Sequence, residues 1–385
     1  MKSARIGVII PVHNRKKDLI ELLNSVFETD YSDFDVIIVD NDSTDDISEI
    51  KSHYPQIKIL RNDKNYGAPI GFNIGIKYSL SLEIYKYLWL LDSDLLVHKN
   101  CLSILVGIME KDESIGMAGA KILNKNNHNL IVEIGANIDL GTGQVFPLFC
   151  NEPDFEGNEI FRVDYVGSGV SLIRADAIKR VGFFDERYYF LWEDMDYGLA
   201  MNRKGYKVVS VSHAIVYHPP FTEKRGVSID AYYGIRNPLL TISKYAGNLS
   251  RAKYIYNFLR RIFEGAVFRF INGYYHLALL SFLGVWDFTV NNWGELKTLK
   301  KPLLLNDKNK KNQLIGKKIK KILILPSGTD KSIKQLINRL RSENNNVQIS
   351  LVIQNYRRFL FEPLKIDIIL YNDKSKYLLL EHILL

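Results

Sequence analysis

Cysteine is scarce in this sequence. Only Cys101 and Cys150 occur among 385 residues, which is too few for a disulfide framework or a zinc cluster. So little cysteine is more typical of a reducing compartment than of an oxidising one. We therefore expect a cytoplasmic protein, with a peripheral position on the cytoplasmic face of the plasma membrane as an alternative.

Long apolar runs are also missing. The first apolar run, Ile6–Ile10, ends at Pro11 and is shorter than the core of a secretory signal peptide, so it predicts a buried strand. The longest uncharged stretch, Phe270–Trp286, contains His276 and two glycines. It falls short of the ~20 apolar residues that a membrane-spanning helix needs. We expect no transmembrane helix.

The composition is that of a folded globular chain. Apolar residues make up 46% and charged residues 24%, close to the averages of about 45–50% and 25% for globular domains, so disordered and collagen-like classes are excluded. The length predicts roughly two to three domains. A formal net charge of +8 favours an anionic partner: nucleotide phosphates, nucleic acid or an anionic membrane surface.

Short apolar runs alternate with helical patterns over the first hundred residues. The runs are rich in β-branched residues, and each is followed by a polar segment and then by apolar residues at helical spacing. Four such runs predict an α/β fold with a largely parallel sheet. The predicted strands are Arg5–Pro11, Phe34–Asp40, Ile57–Leu60 and Tyr87–Leu91.

Polar residues collect at the ends of these predicted strands. Asp92 and Asp94 come directly after the fourth strand, and Asn14, Asp40 and Asn65 lie at or after the ends of the others. Open α/β sheets bind ligands outside the carboxyl ends of their strands. One or two carboxylates plus substrate phosphates commonly hold Mg²⁺. The same acidic pair also suits a turn with a helix N-cap, and the residues alone leave both interpretations open.

Four motifs follow one another in the order IPVHNR, VDNDSTD, NYGAPIGFNIG and LLDSD. Together they resemble the nucleotide-binding half of the family 2 glycosyltransferases, which have the GT-A fold. The resemblance extends from Arg5 to about Asn237. It implies an inverting transfer of a sugar from a nucleotide-diphosphate donor to a hydroxyl group, with Mg²⁺ or Mn²⁺ at the diphosphate.

The resemblance also implies roles for single residues. Asp40 and its neighbours would contact the nucleobase, Asp94 would bind the metal, and Asp92 would bond the ribose or support the metal. A bound cation stabilises the negative charge that develops on the leaving nucleotide. The residues of these motifs that we expect to bind the donor are Pro11, Asn14, Asp40, Asn65, Gly67, Asn73, Asp92 and Ser93.

The segment Asp164–Val209 supplies the candidate acceptor site. Its sequence VGSG, residues 166–169, precedes an apolar run and predicts a close backbone approach, which glycine permits. In the resembled family this loop faces the sugar. We therefore expect Gly167 and Ser168, together with Trp192, at the acceptor site.

An acidic pair precedes a predicted short helix that ends at a glycine. From position alone, Glu193 and Asp194 more simply favour the helix dipole. In the resembled family the second member of such a pair is the general base that deprotonates the acceptor, which carries over to Asp194, and Glu193 would contact the acceptor or the donor sugar. Trp192 before the pair and Tyr197-Gly198 after it are most similar to the rhamnosyltransferase and galactofuranosyltransferase branch.

Two further residues are candidate ligands. His218 follows the predicted strand Val208–Tyr217, where a neutral imidazole can complete a metal site; a lone histidine is more often an ordinary packed residue, but the resemblance favours metal binding. Arg236 lies in the segment Tyr232–Asn237, which resembles the family's aromatic-x-x-Arg-Asn motif. Its forked donors suit the leaving diphosphate, and stacking on neighbouring aromatics is an equal alternative.

The predicted organisation is a GT-A catalytic domain at 1–240, an amphipathic helical segment at 241–300, a basic linker at 301–317 and a small β-α-β unit at 318–385. The last unit lacks the Gly-x-Gly-x-x-Gly and P-loop motifs, so no chemistry is assigned to it. The helical segment predicts helices packed on the catalytic domain that also present a basic amphipathic surface to a membrane. Its cations for anionic head groups are Arg251, Lys253, Arg260, Arg261 and Arg269.

Two other functions compete with an inverting glycosyltransferase. A nucleotidyltransferase should have a glycine-rich loop with a basic residue after its first strand, and PVHNR provides none. A non-catalytic nucleotide-sugar-binding module should have lost part of its site, whereas Asp92, Asp94, Asp194 and His218 are all present. The expected donors are dTDP-rhamnose or a UDP-sugar such as UDP-galactofuranose, and the expected acceptor is a cell-surface glycan or lipid-linked saccharide. We expect no nucleic-acid partner, and an oligomer is possible.

Overall fold

The structure is a computed structural model in which the chain forms two compact units, residues 1–300 and 301–385. In the described residues, no helix combines the length and the apolar character that crossing a bilayer requires. The described residues are 4–219, 227–271, 274–296, 321–324, 348–354 and 367–371.

Strands and helices alternate at the start of the first unit. The strands are rich in β-branched residues, and β1 and β4 are almost entirely buried because helices cover both faces of the sheet. Helix α1 buries its apolar residues at helical spacing, as the sequence predicts. The elements are β1 (Ile6–Val12), α1 (Lys16–Phe27), β2 (Phe34–Asp40), α2 (Ile50–His53), β3 (Lys58–Arg61), α3 (Ala68–Ser81) and β4 (Tyr87–Leu91).

The middle of the unit is richer in strands. The elements are β5 (Leu96–Val97), α4 (Cys101–Lys111), β6 (Ile115–Asn124), β7 (Asn127–Glu133), β8 (Ala136–Asp139), β9 (Gln144–Pro147), β10 (Ile160–Val163), β11 (Val170–Arg174), α5 (Ala175–Val181), α6 (Glu193–Arg203) and β12 (Lys207–His218).

One large sheet organises the unit, with strand order β10-β12-β6-β11-β4-β1-β2-β3. The pairs β4-β1, β1-β2, β2-β3 and β12-β6 are parallel, whereas β10, β11, β5 and β7 pair in antiparallel fashion. Strands β8 and β9 form a separate hairpin. The predicted α/β fold is confirmed, and the parallel pairing holds for all four strands predicted at the start of the chain.

The strand register places several strand ends at one edge of the sheet. Val12 of β1 lies opposite Asp40 of β2, and Ile9 of β1 lies opposite Leu90 of β4. Since these strands are parallel, the segments that follow them leave the sheet together. Antiparallel β11 enters at the same edge, because its first residue pairs with Leu91 at the end of β4.

Three helices follow β12 in the described part of the first unit. Helix α7 continues through Pro238, so position 240, the predicted end of the catalytic domain, lies inside this helix. Helix α9 packs closely on α7, since a Cβ atom at Gly284 would lie 2.9 Å from the carbonyl oxygen of Tyr232. The helices are α7 (Val227–Tyr245), α8 (Asn248–Ile271) and α9 (Tyr275–Thr289).

The second unit contains a three-stranded parallel sheet, with β14 between β13 and β15. The predicted linker at 301–317 and the segment between β13 and β14, where the predicted β-α-β pattern requires a helix, lie outside the described residues. The strands are β13 (Lys321–Ile324), β14 (Gln348–Gln354) and β15 (Asp367–Tyr371).

Candidate active site

A cavity of about 400 Å³ opens at the carboxyl ends of β1 and β4. Strand β1 pairs with β2 on one side and with β4 on the other, so the cavity lies where the strand order reverses, the usual ligand site of open α/β sheets. Its volume is within the range of small-molecule sites. The cavity is lined by Pro11, Val12, His13, Arg15, Asn41, Asn65, Gly67, Ala68, Phe72, Asp92, Ser93, Asp94, Tyr189, Phe190, His218 and Ile229.

Three of these side chains form a candidate metal site. One ligand atom from each of Asp92, Asp94 and His218 lies within 4.8 Å of the other two, and Nε2 of His218 is 3.3 Å from Oδ1 of Asp94. The short strand β5 causes this approach, because Val97 pairs with Val216 near the end of β12. Two carboxylates and an imidazole fit a divalent cation such as Mn²⁺.

The carboxyl group of Asp92 carries a strongly shifted pKa. Burial raises this pKa to about 6, and the charge of Asp94 raises it too, whereas His218 and Arg15 lower it. The charge of Asp194 also contributes to the rise, so Asp194 lies within electrostatic range of the metal site. Two neighbouring carboxylates disfavour simultaneous ionisation, and a cation between them reverses that preference.

Arg15 adds a positive charge at the same place. Its Nη1 lies 2.8 Å from Oδ2 of Asp94 and 3.3 Å from Oδ2 of Asp18. No role for Arg15 follows from the sequence motifs, although it is the last residue of IPVHNR. Only the tertiary structure brings it to the second carboxylate after β4.

Two glycines allow the backbone to approach the cavity closely. Gly67 has φ +85°, and a Cβ atom there would overlap the carbonyl group of Tyr189. A Cβ atom at Gly169 would overlap the carboxyl group of Asp92, whose backbone N–H donates to the carbonyl of Gly169 at 2.9 Å. A Cβ atom at Gly167 would make only ordinary contact. The close approach predicted for VGSG therefore occurs at Gly169 and not at Gly167.

The acidic pair begins helix α6 after an unusual turn. Leu191 and Trp192 both have left-handed backbones, with φ +66° and +74°, which costs a non-glycine residue about 1 kcal/mol or more. Glu193 is buried and Asp194 is half-buried in the first helical turn. The carboxylate of Asp194 accepts a hydrogen bond from the backbone N–H of Met195 at 2.8 Å.

A buried amide holds this turn. Nδ2 of Asn237, in α7, donates to the carbonyl oxygens of Phe190 and Leu191 at 2.8 and 2.7 Å. Nε of Arg236 donates to the amide oxygen of Asn237 at 3.0 Å and orients it. Both side chains are almost inaccessible to solvent. Helix α7 therefore fixes the backbone that enters α6.

Known protein families match most of the first unit. The family described as Glycosyl transferase family 2 matches residues 7–157, and the one described as Glycosyl transferase family group 2 matches residues 87–292. The second match alone covers more than half of the chain. This chain belongs to the family 2 glycosyltransferases.

Curated relatives agree with this assignment. The amylovoran biosynthesis glycosyltransferase AmsB of Erwinia amylovora is 30% identical over 232 residues, which are 57% of this chain and 71% of that relative. An uncharacterized glycosyltransferase of Rickettsia conorii is 33% identical over 154 residues, or 38% of this chain and 24% of the relative. This chain spans 16% to 24% of the length of three Rickettsia relatives.

Solved structures with a similar fold have low sequence identity. A mannosyltransferase of Pyrobaculum calidifontis in complex with GDP-Man and Mn²⁺ is 12% identical, with a TM-score of 0.49 over 76% of this chain and 89% of that one. TarS 1-349 of S. aureus in complex with UDP is 19% identical, with a TM-score of 0.47 over 68% and 72%.

In this member of the family, only some of the predicted ligand-binding residues line the cavity. Arg15, His13, Tyr189 and Phe190 line it without having been predicted, and Asn41 lines it as a neighbour of Asp40, the predicted nucleobase contact. His13 and Arg15 lie in a motif that was recognised, and the two aromatics lie in the aromatic segment before α6. The predicted residues that line the cavity are Pro11, Asn65, Gly67, Asp92, Ser93, Asp94 and His218.

Asp40, the predicted nucleobase contact, lies outside this lining. Its side chain is 1% exposed, pairs with Nη1 of Arg61 at 2.7 Å and accepts the backbone N–H of Ser43 at 2.9 Å. Its charge is therefore used to hold the loop after β2. The next residue, Asn41, lines the cavity instead.

Asn14 and Asn73 also act within the protein. The amide oxygen of Asn14 accepts hydrogen bonds from the backbone N–H and the hydroxyl of Thr44 at 2.7 and 2.9 Å, which joins the loops after β1 and β2. The buried amide of Asn73 bonds both the N–H and the carbonyl of Phe184, each at 2.9 Å. The structure thus gives both predicted donor ligands a role in positioning loops.

Arg236 is likewise committed inside the protein. It is 1% exposed, and its guanidinium donates to the carbonyl oxygens of Gly294 and Arg187 at 2.9 and 3.3 Å. It also lies 5.0 and 5.7 Å from the ring centres of Tyr233 and Trp293. This geometry favours the stacking alternative over contact with a diphosphate.

The predicted catalytic and acceptor residues lie beside the cavity rather than among its described lining residues, which are given above. Ser168 is 5% exposed, and its carbonyl oxygen accepts the hydroxyl of Ser171 at 2.8 Å. Trp192, Glu193 and Asp194 follow the cavity-lining Tyr189–Phe190 segment along the chain. These three predicted residues are therefore joined to the cavity through the backbone of this segment.

Proposed function

We propose that this chain transfers a hexosyl group from a nucleoside-diphosphate sugar to an acceptor hydroxyl, with inversion at the anomeric carbon. The observation that carries the proposal is the cluster of Asp92, Asp94 and His218 beside a cavity at the topological switch point. A nucleotide diphosphate with its metal is the ligand class that this combination of acidic ligands and location suits.

In this proposal Asp94 and His218 hold a divalent cation, and Asp92 supports it or bonds the ribose. When bound, the cation neutralises the diphosphate and stabilises the charge that develops as the nucleotide leaves. Arg15 presents a guanidinium at the same edge of the cavity. Its forked donors suit phosphate oxygens, so we propose that it contacts the diphosphate in place of Arg236.

Asp194 is the proposed general base, and Glu193 the proposed contact to the acceptor or the donor sugar. The carboxylate of Asp194 takes the proton of the acceptor hydroxyl while that oxygen bonds to the anomeric carbon. The bond from the same carbon to the phosphate oxygen breaks, and the nucleoside diphosphate leaves with the electron pair. The position of Asp194 in the first turn of α6, within electrostatic range of Asp92, supports this role.

For the substrates, we propose dTDP-rhamnose or UDP-galactofuranose as donor and a cell-surface glycan or lipid-linked saccharide as acceptor. The support for the donor is Trp192 before the acidic pair and Tyr197-Gly198 after it. The support for the acceptor is the likeness to AmsB, whose name refers to amylovoran biosynthesis. We place the reaction in the cytoplasm, which the two free cysteines support.

Donor binding and turnover separate the proposed roles. We expect Mn²⁺ together with one class of UDP-, dTDP- or GDP-sugar to raise the melting temperature of the full chain, because a ligand that binds only the native state stabilises it. Asp94→Ala should abolish this metal-dependent shift. Asp194→Asn should keep the shift and lose about 10³-fold or more in turnover, measured as release of nucleoside diphosphate.

The matched control is Asp176→Asn, since Asp176 is an exposed acid on α5 whose partner is the neighbouring Lys179. It should leave the melting shift and turnover unchanged. Normal turnover by Asp194→Asn would disprove the base assignment. An unchanged metal-dependent shift in Asp94→Ala would disprove the metal site.

A further inference from the structure

Helices α8 and α9 each expose an apolar stripe to solvent. On α8 the side chains recur at intervals of three, four or seven residues and are 37% to 87% exposed: Leu249, Tyr256, Leu259, Phe263, Val267 and Phe270. On α9 and at the residue directly after it, similar spacing gives side chains that are 42% to 63% exposed: Tyr275, Leu279, Phe282, Trp286 and Val290.

This spacing places each set on one face of its helix. Other faces of the two helices are packed, since α8 buries Tyr254, Ile262 and Ala266, and α9 buries Leu280 and Gly284 among others. From residue 249 to residue 270, the stripe on α8 extends about 32 Å at ~1.5 Å per residue. Single exposed apolar residues are ordinary, but a contiguous set of this length marks an interaction surface.

Cations border the stripe on α8. Lys253, Arg260 and Arg261 are exposed, and Glu264, which lies 3.8 Å from Arg260, is the one acidic residue of this helix. The other two basic residues point into the protein: Arg251 donates to the carbonyl of Ala246, and Arg269 donates to the hydroxyl of Ser281. Of the five cations expected to meet head groups, three are therefore exposed, and the helical spacing places Lys253 and Arg260 next to the stripe.

We propose that α8 and α9 form a membrane-docking face that lies in the head-group region of an anionic lipid bilayer. Apolar and aromatic residues on one face with cations beside them are the signature of helices that bind in the plane of a membrane. Trp and Tyr, which this face contributes through Trp286, Tyr256 and Tyr275, have amphipathic rings that suit the interface between head groups and acyl chains.

Charge favours a bilayer over a second copy of this chain. Two copies joined through this face would bring together two surfaces that each carry the exposed cations Lys253, Arg260 and Arg261 and one acidic residue, Glu264. Anionic head groups neutralise these cations, each at about 1 kcal/mol near the surface. The docking face goes beyond the proposed function, because it does not depend on which sugar is transferred or on whether Asp194 is the base.

The docking face is mechanically connected to the candidate active site. Helix α9 packs on α7 at Gly284, and the hydroxyl of Tyr232 in α7 donates to Asp287 of α9 at 2.5 Å. Asn237 of the same α7 holds the turn before α6. A bilayer bound to α8 and α9 would therefore lie at a set position relative to Asp194.

The test measures binding of the full chain to vesicles of phosphatidylcholine alone and of phosphatidylcholine with phosphatidylglycerol, by co-sedimentation. We expect binding to the anionic vesicles only, weakened by salt. The double variant Phe263→Ser/Trp286→Ser should bind about tenfold less, and Arg260→Gln/Arg261→Gln should bind less strongly with a smaller salt dependence.

Matched controls come from other surfaces of the first unit. Phe146→Ser/Ile160→Ser replaces two apolar residues that are 47% and 45% exposed on β9 and β10, and it should bind as the unchanged chain does. If Phe146→Ser/Ile160→Ser reduced vesicle binding as much as Phe263→Ser/Trp286→Ser does, the assignment of binding to this face would be wrong. Absence of binding to anionic vesicles would overturn the proposal itself.

A second measurement tests which residues insert into the bilayer, independently of how tightly the chain binds to vesicles. Brominated acyl chains should quench tryptophan fluorescence of the vesicle-bound chain, and Trp286→Phe should remove most of that quenching. Quenching that persists in Trp286→Phe would contradict insertion at this face. If light scattering instead showed a dimer that Phe263→Ser/Trp286→Ser dissociates, with no vesicle binding, a second copy would be the occupant and the membrane proposal would be wrong.

Discussion

The geometry of the candidate metal site depends on the small size of one neighbouring residue. The carboxyl group of Asp92 rests against Gly169, where the absence of a side chain leaves the required space. Replacing one hydrogen by a methyl group there must move β11 or turn the carboxyl group away from Asp94. The cluster thus depends on a residue that carries no chemistry of its own.

We predict that Gly169→Ala loses the metal-dependent melting shift with nucleotide sugar and about 1–3 kcal/mol of unfolding free energy, a typical cost of overpacking. Gly107→Ala is the matched control, because a Cβ atom at this position of α4 meets no atom within 4 Å. Alanine also favours a helix over glycine by about 1 kcal/mol. Metal-dependent binding by Gly169→Ala equal to that of the unchanged chain would contradict the prediction.

The raised pKa of Asp92 predicts a pH dependence for the metal-free protein. Between the ordinary value of 3.8 and the folded value of about 6, the native state holds a proton that the unfolded chain has released. Stability therefore falls as the pH rises through this window and stays lower above it, by at most about 3 kcal/mol. Asp92→Asn should flatten the profile and be the more stable protein near pH 7.

The measurement is denaturant-induced unfolding of both proteins with EDTA present, from about pH 5 to about pH 7. The same proton competes with a cation, so Mn²⁺ binding to the unchanged chain should weaken as the pH falls below about 6. Parallel pH profiles for the two proteins would show that Asp92 does not cause the dependence.

At the scale of elements, helix α6 carries the proposed base and helix α7 positions it. The left-handed backbones of Leu191 and Trp192 set the direction in which α6 begins. This strained turn is held in place because the side chain of Asn237 donates to the carbonyl oxygens of Phe190 and Leu191. A side chain that cannot donate at this position would release the turn and displace Asp194.

We predict that Asn237→Asp lowers kcat about 10²-fold while the metal-dependent binding of the donor is retained, because a carboxylate offers no donor to the carbonyls of Phe190 and Leu191. Asn202→Asp is the matched control. Asn202 lies near the end of α6, and its Nδ2 donates to the carbonyl oxygens of Asp164 and Gly198, both at 3.2 Å. It should cost about 1–3 kcal/mol of stability without a selective loss of kcat. Equal kcat losses in both variants would point to general destabilisation.

At the scale of the whole molecule, the chain divides into two units, and among the described residues those that line the cavity all belong to the first. The candidate metal site, the proposed base and α7 to α9 also lie in this unit. The second unit contributes a separate parallel sheet.

We therefore predict that a chain ending at residue 300 unfolds cooperatively and retains the metal-dependent binding of the donor. Circular dichroism during heating tests the first point, and the melting shift with Mn²⁺ and nucleotide sugar tests the second. Loss of donor binding in a truncated chain that still unfolds cooperatively would assign part of the donor site to residues 301–385.

The amino-acid sequence alone determined the α/β class, the strands at the start of the chain, the family and the acidic residues after β4. These features follow from local patterns, since β-branched runs form strands wherever helices cover them, and carboxylates directly after a strand must leave the sheet at its edge. The sequence also placed His218 at a strand end, where the two-residue strand β5 brings it to Asp94.

Only the tertiary structure decided which polar groups remain for a ligand. Four residues have the types expected of donor ligands, but their polar groups are engaged within the protein. Asp40 pairs with Arg61, Asn14 bonds Thr44, Asn73 bonds Phe184, and Arg236 stacks on the aromatic rings around it. Arg15 is the opposite case, because it was not predicted as a ligand but contacts Asp94, which lies 79 residues later in the chain. Such pairings join distant segments, and their geometry exists only once the sheet and α7 are assembled.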